Sequence, residues 1–554
     1  MNGFLASIGY GRWILPALLG IPMVGALLIL LQGALGGRAG VARQGAAEES
    51  AAARAAVNPG TAVDEIATGV AGPARTLALL TFLVEFIVSL GLWWAFDPSD
   101  ARWQFAVDIP WIPSWGVRFA IGIDGMALMM ILLTTFIMVL SSLGSWTYIR
   151  TRTHGFYALM LVLTTGMLGV FMSLDLFLFY VMWEVMLVPM YFIIGIWGGE
   201  ERLYASLKFF IYTMVGSMLM LAAIVYLGLV ARNPLTGIPN FAYDYILQNV
   251  AVSPRAALWL FGAFFMAFAV KVPMFPFHTW LPLAHVEAPT AGSVVLASIM
   301  LKLGTFGFLR LAVPLFPSAA LNGTVRSIIL GLAVIGIVYG ALVSMVQPDF
   351  KKLVAYSSVS HLGFVMLGIF ALTVQSVQGA LMVMINHGIS TGALFLLIGM
   401  IYERRHSRLI DAYGGIARVV PMFAAILTFV SLSSIGLPGT NGFIGEFLVL
   451  IGSFKTVPIY TVIATTAVIF AAAYLLWAIQ RILFNPLDKP ENEHIADLNR
   501  RELLTMVPVV AAIIWLGVYP APVLRRMQLS AERFVNIVQG RVSTPIASAR
   551  EIGR

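Results

Sequence analysis

The sequence predicts an all-α polytopic membrane protein with about fourteen transmembrane helices, and three observations carry that prediction. Of its 554 residues 60% are hydrophobic and only 11% charged, where soluble domains carry about a quarter charged residues. Mean hydropathy is +0.90, too apolar a chain to hide its surface in water. The apolar residues also fall in about fourteen runs of the roughly 20 residues that cross a bilayer. There is no cysteine, which excludes disulfides, thiolate metal sites and cysteine-ligated clusters. The net charge of +8 resides mostly in loops and tail. No basic patch interleaved with aromatics points to nucleic acid, so none is expected as a partner.

The runs begin near residues 13, 74, 121, 156, 176, 204, 255, 291, 325, 353, 376, 417, 458 and 503. Residues 1–35 hold the first, which lacks a small-residue cleavage site and reads as a retained helix. Residues 36–73, rich in Ala, Gly and small polar residues, read as a flexible loop insertion. Helices 2 and 3 occupy 74–150. Helices 4–8 fall in 151–318 and helices 9–13 in 319–486. A loop, helix 14 and a basic tail from Arg525, expected on the surface, make up 487–554. With loops assigned to alternate sides, one side carries eighteen Lys and Arg and the short loops of the other eight, or fourteen with the tail's six arginines. The positive-inside rule puts the first set in the cytoplasm and both termini outside.

Two helices are interrupted. The seventh contains Lys271-Val272-Pro273, with Pro276 and Pro282 beyond, and the twelfth contains Leu437-Pro438-Gly439-Thr440-Asn441-Gly442. Breaks are tolerated in lipid only where protein or a wet cavity satisfies the freed backbone. Interruptions at corresponding positions point to an internal repeat and a transport path. These lie five helices apart, and an odd span inverts the second copy, so helices 4–8 and 9–13 are predicted as two inverted five-helix repeats. Charge spacing agrees. Glu184 precedes Lys271 by 87 residues and His361 precedes Glu446 by 85; Lys208 precedes Lys271 by 63 and His387 precedes Glu446 by 59.

A charge at mid-membrane costs at least a few kcal/mol and persists when paired or hydrated. Burial and an opposite neighbour push a buried amine in opposing directions. Such a group can therefore bind and release a proton as its neighbour moves. Lys271 at the break of helix 7, Glu446 just after the break of helix 12, and Lys302 in mid-helix 8 are candidates for a proton pathway. Glu184 on helix 5 needs a cation, either Lys271 or Lys208, and Lys208 reads equally as an interfacial lysine. His361 and His387 on helices 10 and 11 can pass a proton through either ring nitrogen, or else be satisfied core residues. His278 and His285 read as an amphipathic surface or channel-mouth segment, and Asp124 and Asp175 as interfacial. Glu85 has no explanation. No cofactor motif or metal cluster is visible.

The stretch from Phe268 to Ser293, FAVKVPMFPFHTWLPLAHVEAPTAGS, resembles the proton-translocating antiporter-like subunits of respiratory complex I. The resemblance continues through Leu301-Lys302-Leu303-Gly304, Ala355 to His361, Leu437-Pro438-Gly439-Thr440 and Gly445-Glu446-Phe447, and covers nearly the whole chain. Glu446, where sister subunits usually carry lysine, and the lack of a long lateral helix after helix 14 favour one branch of that family. The resemblance implies a membrane-arm subunit of NADH-quinone oxidoreductase in a bacterial inner membrane. Glu184 and Lys271 would share one half-channel with Lys208 nearby. Lys302, His361 and His387 would form a connecting axis, and Glu446 the exit. It also implies no redox centre in this chain; NADH, FMN, iron–sulfur clusters and quinone are expected in partner subunits. Its partners would be the other complex I subunits, above all the neighbouring antiporter-like ones, with lipid around it. The competing expectation is a subunit of a multisubunit sodium/proton antiporter.

Overall fold

The computed structural model describes residues 1–55 and 61–543, with the backbone alone at residues 2, 36–71 and 541–543. Among the described residues thirteen helices are long and apolar enough to cross a membrane. They lie in α1 (Tyr10–Ala55), α2 (Thr61–Ala95), α3 (Gly125–Gly144), α4 (Thr153–Met172), α5 (Leu176–Trp197), α6 (Arg202–Val230), α7a (Pro254–Lys271), α8 (Thr290–Leu315), α9 (Gly323–Met345), α10 (Phe350–Ala371), α11 (Val374–Arg405), α13 (Pro458–Phe484) and α14 (Arg500–Val518). Two shorter apolar helices, α12a (Pro421–Ile435) and α12b (Asn441–Phe454), fill the remaining place. Apart from α2, the helices begin within a few residues of the expected positions, because long apolar runs bounded by caps are strong signals. Asp175, for example, caps α5 by accepting the N–H groups of Phe177 and Leu178.

Both expected interruptions occur. α7a ends at Lys271 because Pro273 and Pro276 lack the donors that would continue it. The chain re-enters a helix as α7b, Trp280–Glu287, and the Trp280 Nε1 donates to the freed Val270 carbonyl at 2.9 Å. α12a stops at Gly436, whose φ of +86° suits glycine, and Leu437 N–H returns to the Leu432 carbonyl at 3.1 Å. α8 is buried along its whole length, α11 throughout its middle and α10 nearly so, while α2, α13 and α14 leave much of their surface facing outward.

Two expectations need correction and a third is sharpened. The stretch 36–73, expected to be flexible, is helical wherever it is described, since α1 runs to Ala55 and α2 starts at Thr61; residues 56–60 lie outside the described residues. Its alanines, with Arg, Gln and Glu among them, are strong helix formers and outweigh the glycines that suggested a loop. The loop after α2 folds into an antiparallel hairpin of β1 (Gln104–Ile112) and β2 (Val117–Ile123), which the sequence reading missed. The basic tail, expected on the surface, is a helix with one exposed face and one packed face. It forms α15 (Ala521–Ser543), packed on α3 and α11. Met527, Ala531, Phe534 and Val538 form its buried stripe, at helical spacing. Residues 544–554 lie outside the described residues.

The ends of α3 and α8 are locked by charge. Asp124 caps α3 through Ala127 N–H at 3.0 Å and accepts from Arg310 Nη2 at 2.6 Å. Both side chains are less than a tenth exposed, so Asp124 is buried in the protein at its helix end. Burial alone would raise the Asp124 pKa, but the Arg310 guanidinium overrides it and holds the carboxyl below its ordinary value. Arg310→Met should therefore lower stability by about 3–5 kcal/mol, because it leaves a buried charge unpaired. Adding Asp124→Asn should recover much of the loss. Thermal unfolding of the detergent-solubilised protein measures both, and additive losses in the double variant would contradict the pairing.

Candidate functional site

α8 leaves regular α geometry twice, at the π turns Leu296–Met300 and Phe308–Ala312, and Lys302 lies between them. Such bulges disturb the regular carbonyl ladder and are frequent at functional sites. Here Lys302 Nζ donates to the Ala297 carbonyl at 2.5 Å and contacts His387 Nδ1 at 2.6 Å. Ser298 Oγ donates to the Gly388 carbonyl at 2.7 Å and ties the same turn to α11. A Cβ on Gly388 would meet the Ser298 carbonyl at 3.0 Å and Leu133 Cδ2 at 2.8 Å, so the absent side chain is what lets α11 approach.

From His387 the contacts continue across the bundle. Its ring centroid is 5.6 Å from that of His361 on α10. His361 Nδ1 lies 2.8 Å from Glu446 Oε1 on α12b. Lys302, His387, His361 and Glu446 thus form one row across four helices, and the most exposed of them, Glu446, has a side chain only 12% exposed. At the Glu446 end the break of helix 12 is held by amides and hydroxyls. Asn386 Nδ2 donates to the Asn441 carbonyl at 2.5 Å, and Ser390 Oγ lies 2.9 Å from Ser433 Oγ.

Glu184, Lys271 and Lys208 stay outside this row. Lys271 closes α7a, where helix-end carbonyls favour a cation. Its Nζ is buried without a hydrogen-bond partner and rests over the rings of Trp183 and Phe209, 5.5 and 5.3 Å from their centroids. Glu184, next to Trp183 on α5, has Tyr180 and Ser217 beside its carboxyl and an unpartnered Oε1. Among the described residues no ion pair joins it to Lys271 or Lys208. Lys208 is half-buried, its Nζ 5.8 Å and 5.9 Å from the centroids of Tyr204 and Tyr212.

A second polar cluster was not legible as one. His278 and His285 are buried rather than on a surface, because α7b folds inward against α6 and α10. His285 stacks flat on Phe395, centroids 4.6 Å apart, with both ring nitrogens unpartnered. Lys351, counted as a loop cation, is buried in the first turn of α10 and donates to the Ala288 carbonyl at 2.7 Å. With Glu287, Asp349 and Arg408 it lines a polar cavity of about 370 Å³. A signal was available in Asp349-Phe350-Lys351-Lys352, since cations in a helix's first turn oppose its dipole and need another reason to be there. Among the described residues no group of three His, Cys, Asp or Glu side chains is placed to hold a metal ion. Glu85 is wholly buried in α2, with both carboxyl oxygens unpartnered.

The family model described as "NADH:quinone oxidoreductase/Mrp antiporter, TM" matches residues 173–471. NADH-quinone oxidoreductase subunit M of Rhodobacter capsulatus is 45% identical over 453 residues, covering 81% of this chain and 88% of that protein. A chain in the structure of respiratory complex I from Thermus thermophilus with bound NADH superposes with a TM-score of 0.80 at 31% identity, covering 95% of this chain and 99% of that one. A chain of the Mrp complex from Dietzia sp. shares the fold at 20% identity, with a TM-score of 0.71 over 97% of this chain and 57% of that one.

The close approach of α8 and α11 makes a specific variant informative. Gly388→Val should force the helices apart at a cost of about 1–3 kcal/mol and separate His387 from Lys302. Proton transfer should fall at least tenfold where the protein still assembles. Unchanged transfer with a lowered melting temperature would dissociate the packing from the chemistry.

Proposed function

This chain belongs to the family of NADH:quinone oxidoreductase and Mrp antiporter membrane subunits, and from that premise we infer that it is a membrane-arm subunit translocating protons within an NADH:quinone oxidoreductase. The single observation that carries this reading is the row Lys302–His387–His361–Glu446. Each member is a group that can hold a proton, and two of the three steps are within hydrogen-bonding distance. A proton on Lys302 passes to His387, then to His361, and leaves through Glu446. Lys302 is well placed to start the sequence, because its other hydrogen bond among the described residues goes to a backbone carbonyl.

Glu184, Lys271 and Lys208 form the second half of the proposed device. Lys271 is held by aromatic faces, a softer restraint than an ion pair. Small movements of α5 against α7a could bring Glu184 to it and withdraw it again, switching the charge that the row feels. The polar cavity beside Lys351 lies on the side richer in Lys and Arg, the cytoplasmic side by the positive-inside rule, and offers a wet approach from there. Both termini then lie outside, in a bacterial inner membrane. Electrons pass from NADH through FMN and iron–sulfur clusters to quinone in partner subunits, and this chain supplies none of those groups. The alternative of a sodium/proton antiporter subunit has the shared family description and a likeness of fold at 20% identity behind it, whereas the relatives given above at 45% and 31% identity are named for NADH-quinone oxidoreductase and respiratory complex I.

Mild extraction of the tagged chain from native membranes tests the assembly. It should bring down flavin and iron–sulfur proteins with NADH:quinone activity; recovery among antiporter subunits without flavin would overturn the reading. In the assembled complex, Lys302→Met should cut pumping at least tenfold per NADH oxidised. Glu446→Lys should retain more pumping than Glu446→Ala, because that position needs an ionisable group. Normal pumping by Lys302→Met, or the reverse order at Glu446, would remove the relay role.

A further inference from the structure

One buried acid takes no part in the row. Glu85 stands in the inward stripe of α2 formed by Ala74, Ala78, Phe82, Glu85, Ser89 and Leu92, whose three- and four-residue spacing turns a single face to the bundle. It is 0% exposed, and neither carboxyl oxygen has a hydrogen-bond partner among the described residues. α2 packs against α1, α3 and α4. α3 has no ionisable residue between Gly125 and Gly144. The spanning part of α1 offers only Tyr10 and Arg12, at its start, and α4 only His154 and Tyr157, at its start. In α2 itself Arg75 turns away to the Ile149 carbonyl. No charged group among the described residues acts on Glu85. A lone carboxylate in hydrocarbon is too costly to keep, so such a group takes up a proton instead.

The register of α2 against α3 shows where that acid can exchange its proton. Ser89 Oγ lies 2.8 Å from Thr135 Oγ1, and the rings of Phe86 and Phe136 are 5.7 Å apart. A hairpin joins the two helices and they run antiparallel, so residues after Thr135 face residues before Ser89. Glu85 is one turn before Ser89, and Ser142 is two turns after Thr135 on the same face. Helical side chains lean toward the N-terminus of their helix, which carries the Glu85 carboxyl toward the level of Ser142. Ser142 is fully buried, and its hydroxyl also lacks a partner. One turn further on, Ser145 Oγ donates to the Ser142 carbonyl at 3.0 Å and lies 3.1 Å from the Tyr157 hydroxyl. That seam leads to the end of the bundle closed by Arg75. In the opposite direction it stops, because the stripe continues past Ser89 with the buried, apolar Leu92 and Phe96.

We propose that Glu85 is a proton-binding site separate from the row, closed toward Leu92 and connected through Ser142, Ser145 and Tyr157 to the face richer in Lys and Arg. In the exchange the carboxyl O–H bond breaks, the proton passes into the hydroxyl seam and the water beyond it, and a proton returning from that water restores the acid; no other reactant is needed. A site with one opening stores a proton rather than conducting one. The proposal does not depend on the relay reading.

Infrared difference spectra of the complete complex in vesicles, wild type minus Glu85→Gln, read the proton directly. They should show a carboxylic-acid C=O band that shifts on transfer to D2O. Ser142→Ala and Tyr157→Phe should keep the band and slow its shift about threefold or more. Glu85→Gln should melt close to wild type, because the amide matches the neutral acid in shape, and should pump within about twofold of wild type, because the store is not in series with the row. A carboxylate band in place of the acid band overturns the proposal. So does an acid band that never shifts in D2O, an unaltered rate of shift in both seam variants, or a larger loss of pumping in assembled Glu85→Gln. Where Glu85→Gln fails to assemble, Glu85→Asp decides the same question by moving the band rather than removing it. Lys302→Met should leave the band unchanged, so failure of the relay reading and failure of this one are told apart.

Discussion

A backbone carbonyl in hydrocarbon must find its donor inside the protein, and the functional architecture hangs on how this chain meets that demand. At four places where a helix ends or departs from regularity, a side chain fills in. Trp280 caps Val270 at the break of helix 7, Lys302 caps Ala297 at the π turn, Lys351 caps Ala288 after α7b, and Asn386 caps Asn441 at the break of helix 12. Two of these four donors are amines that can also hold a proton. In the proposed relay, structural repair and proton chemistry therefore fall on the same kind of atom, and the π turns of α8 flank Lys302 near the middle of the bundle.

The two groups of ionisable residues sit in different physical surroundings. The row from Lys302 to Glu446 is linked largely through hydrogen-bonding atoms at 2.6 and 2.8 Å, and its geometry is fixed by clamps such as Ser298 to Gly388. Lys271 has no such bond and lies between two aromatic faces. Directional bonds hold a group in one place, whereas ring faces tolerate sliding. In the proposed device the first arrangement suits conduction and the second suits a moving trigger.

Much of this was legible from sequence because membrane helices announce themselves by length and hydropathy. Prolines 273, 276 and 438 marked the breaks, and a Lys, His or Glu in an apolar run stands out against its neighbours. Partnership was much less legible. Lys302 and His387 are 85 residues apart, and only the crossing of α8 with α11 brings them together, so the expected Glu184–Lys271 pair appeared as good a guess as the contact that formed. Lys351 was hidden because it follows a loop, and α15 because its apolar stripe is diluted by arginines.

Lys302, His361 and His387 lie near the middles of α8, α10 and α11, so the row runs sideways through the bundle rather than from face to face. One elementary charge crossing the whole membrane exchanges about 2.3 kcal/mol with a potential of 100 mV. A charge moving along an equipotential exchanges almost nothing. In the proposed relay the electrical work of transport is then done in the approach from one face and the departure to the other, while the lateral segment is indifferent to voltage. The energised state of the membrane can thus oppose loading and unloading of the row without disturbing the order of protons within it.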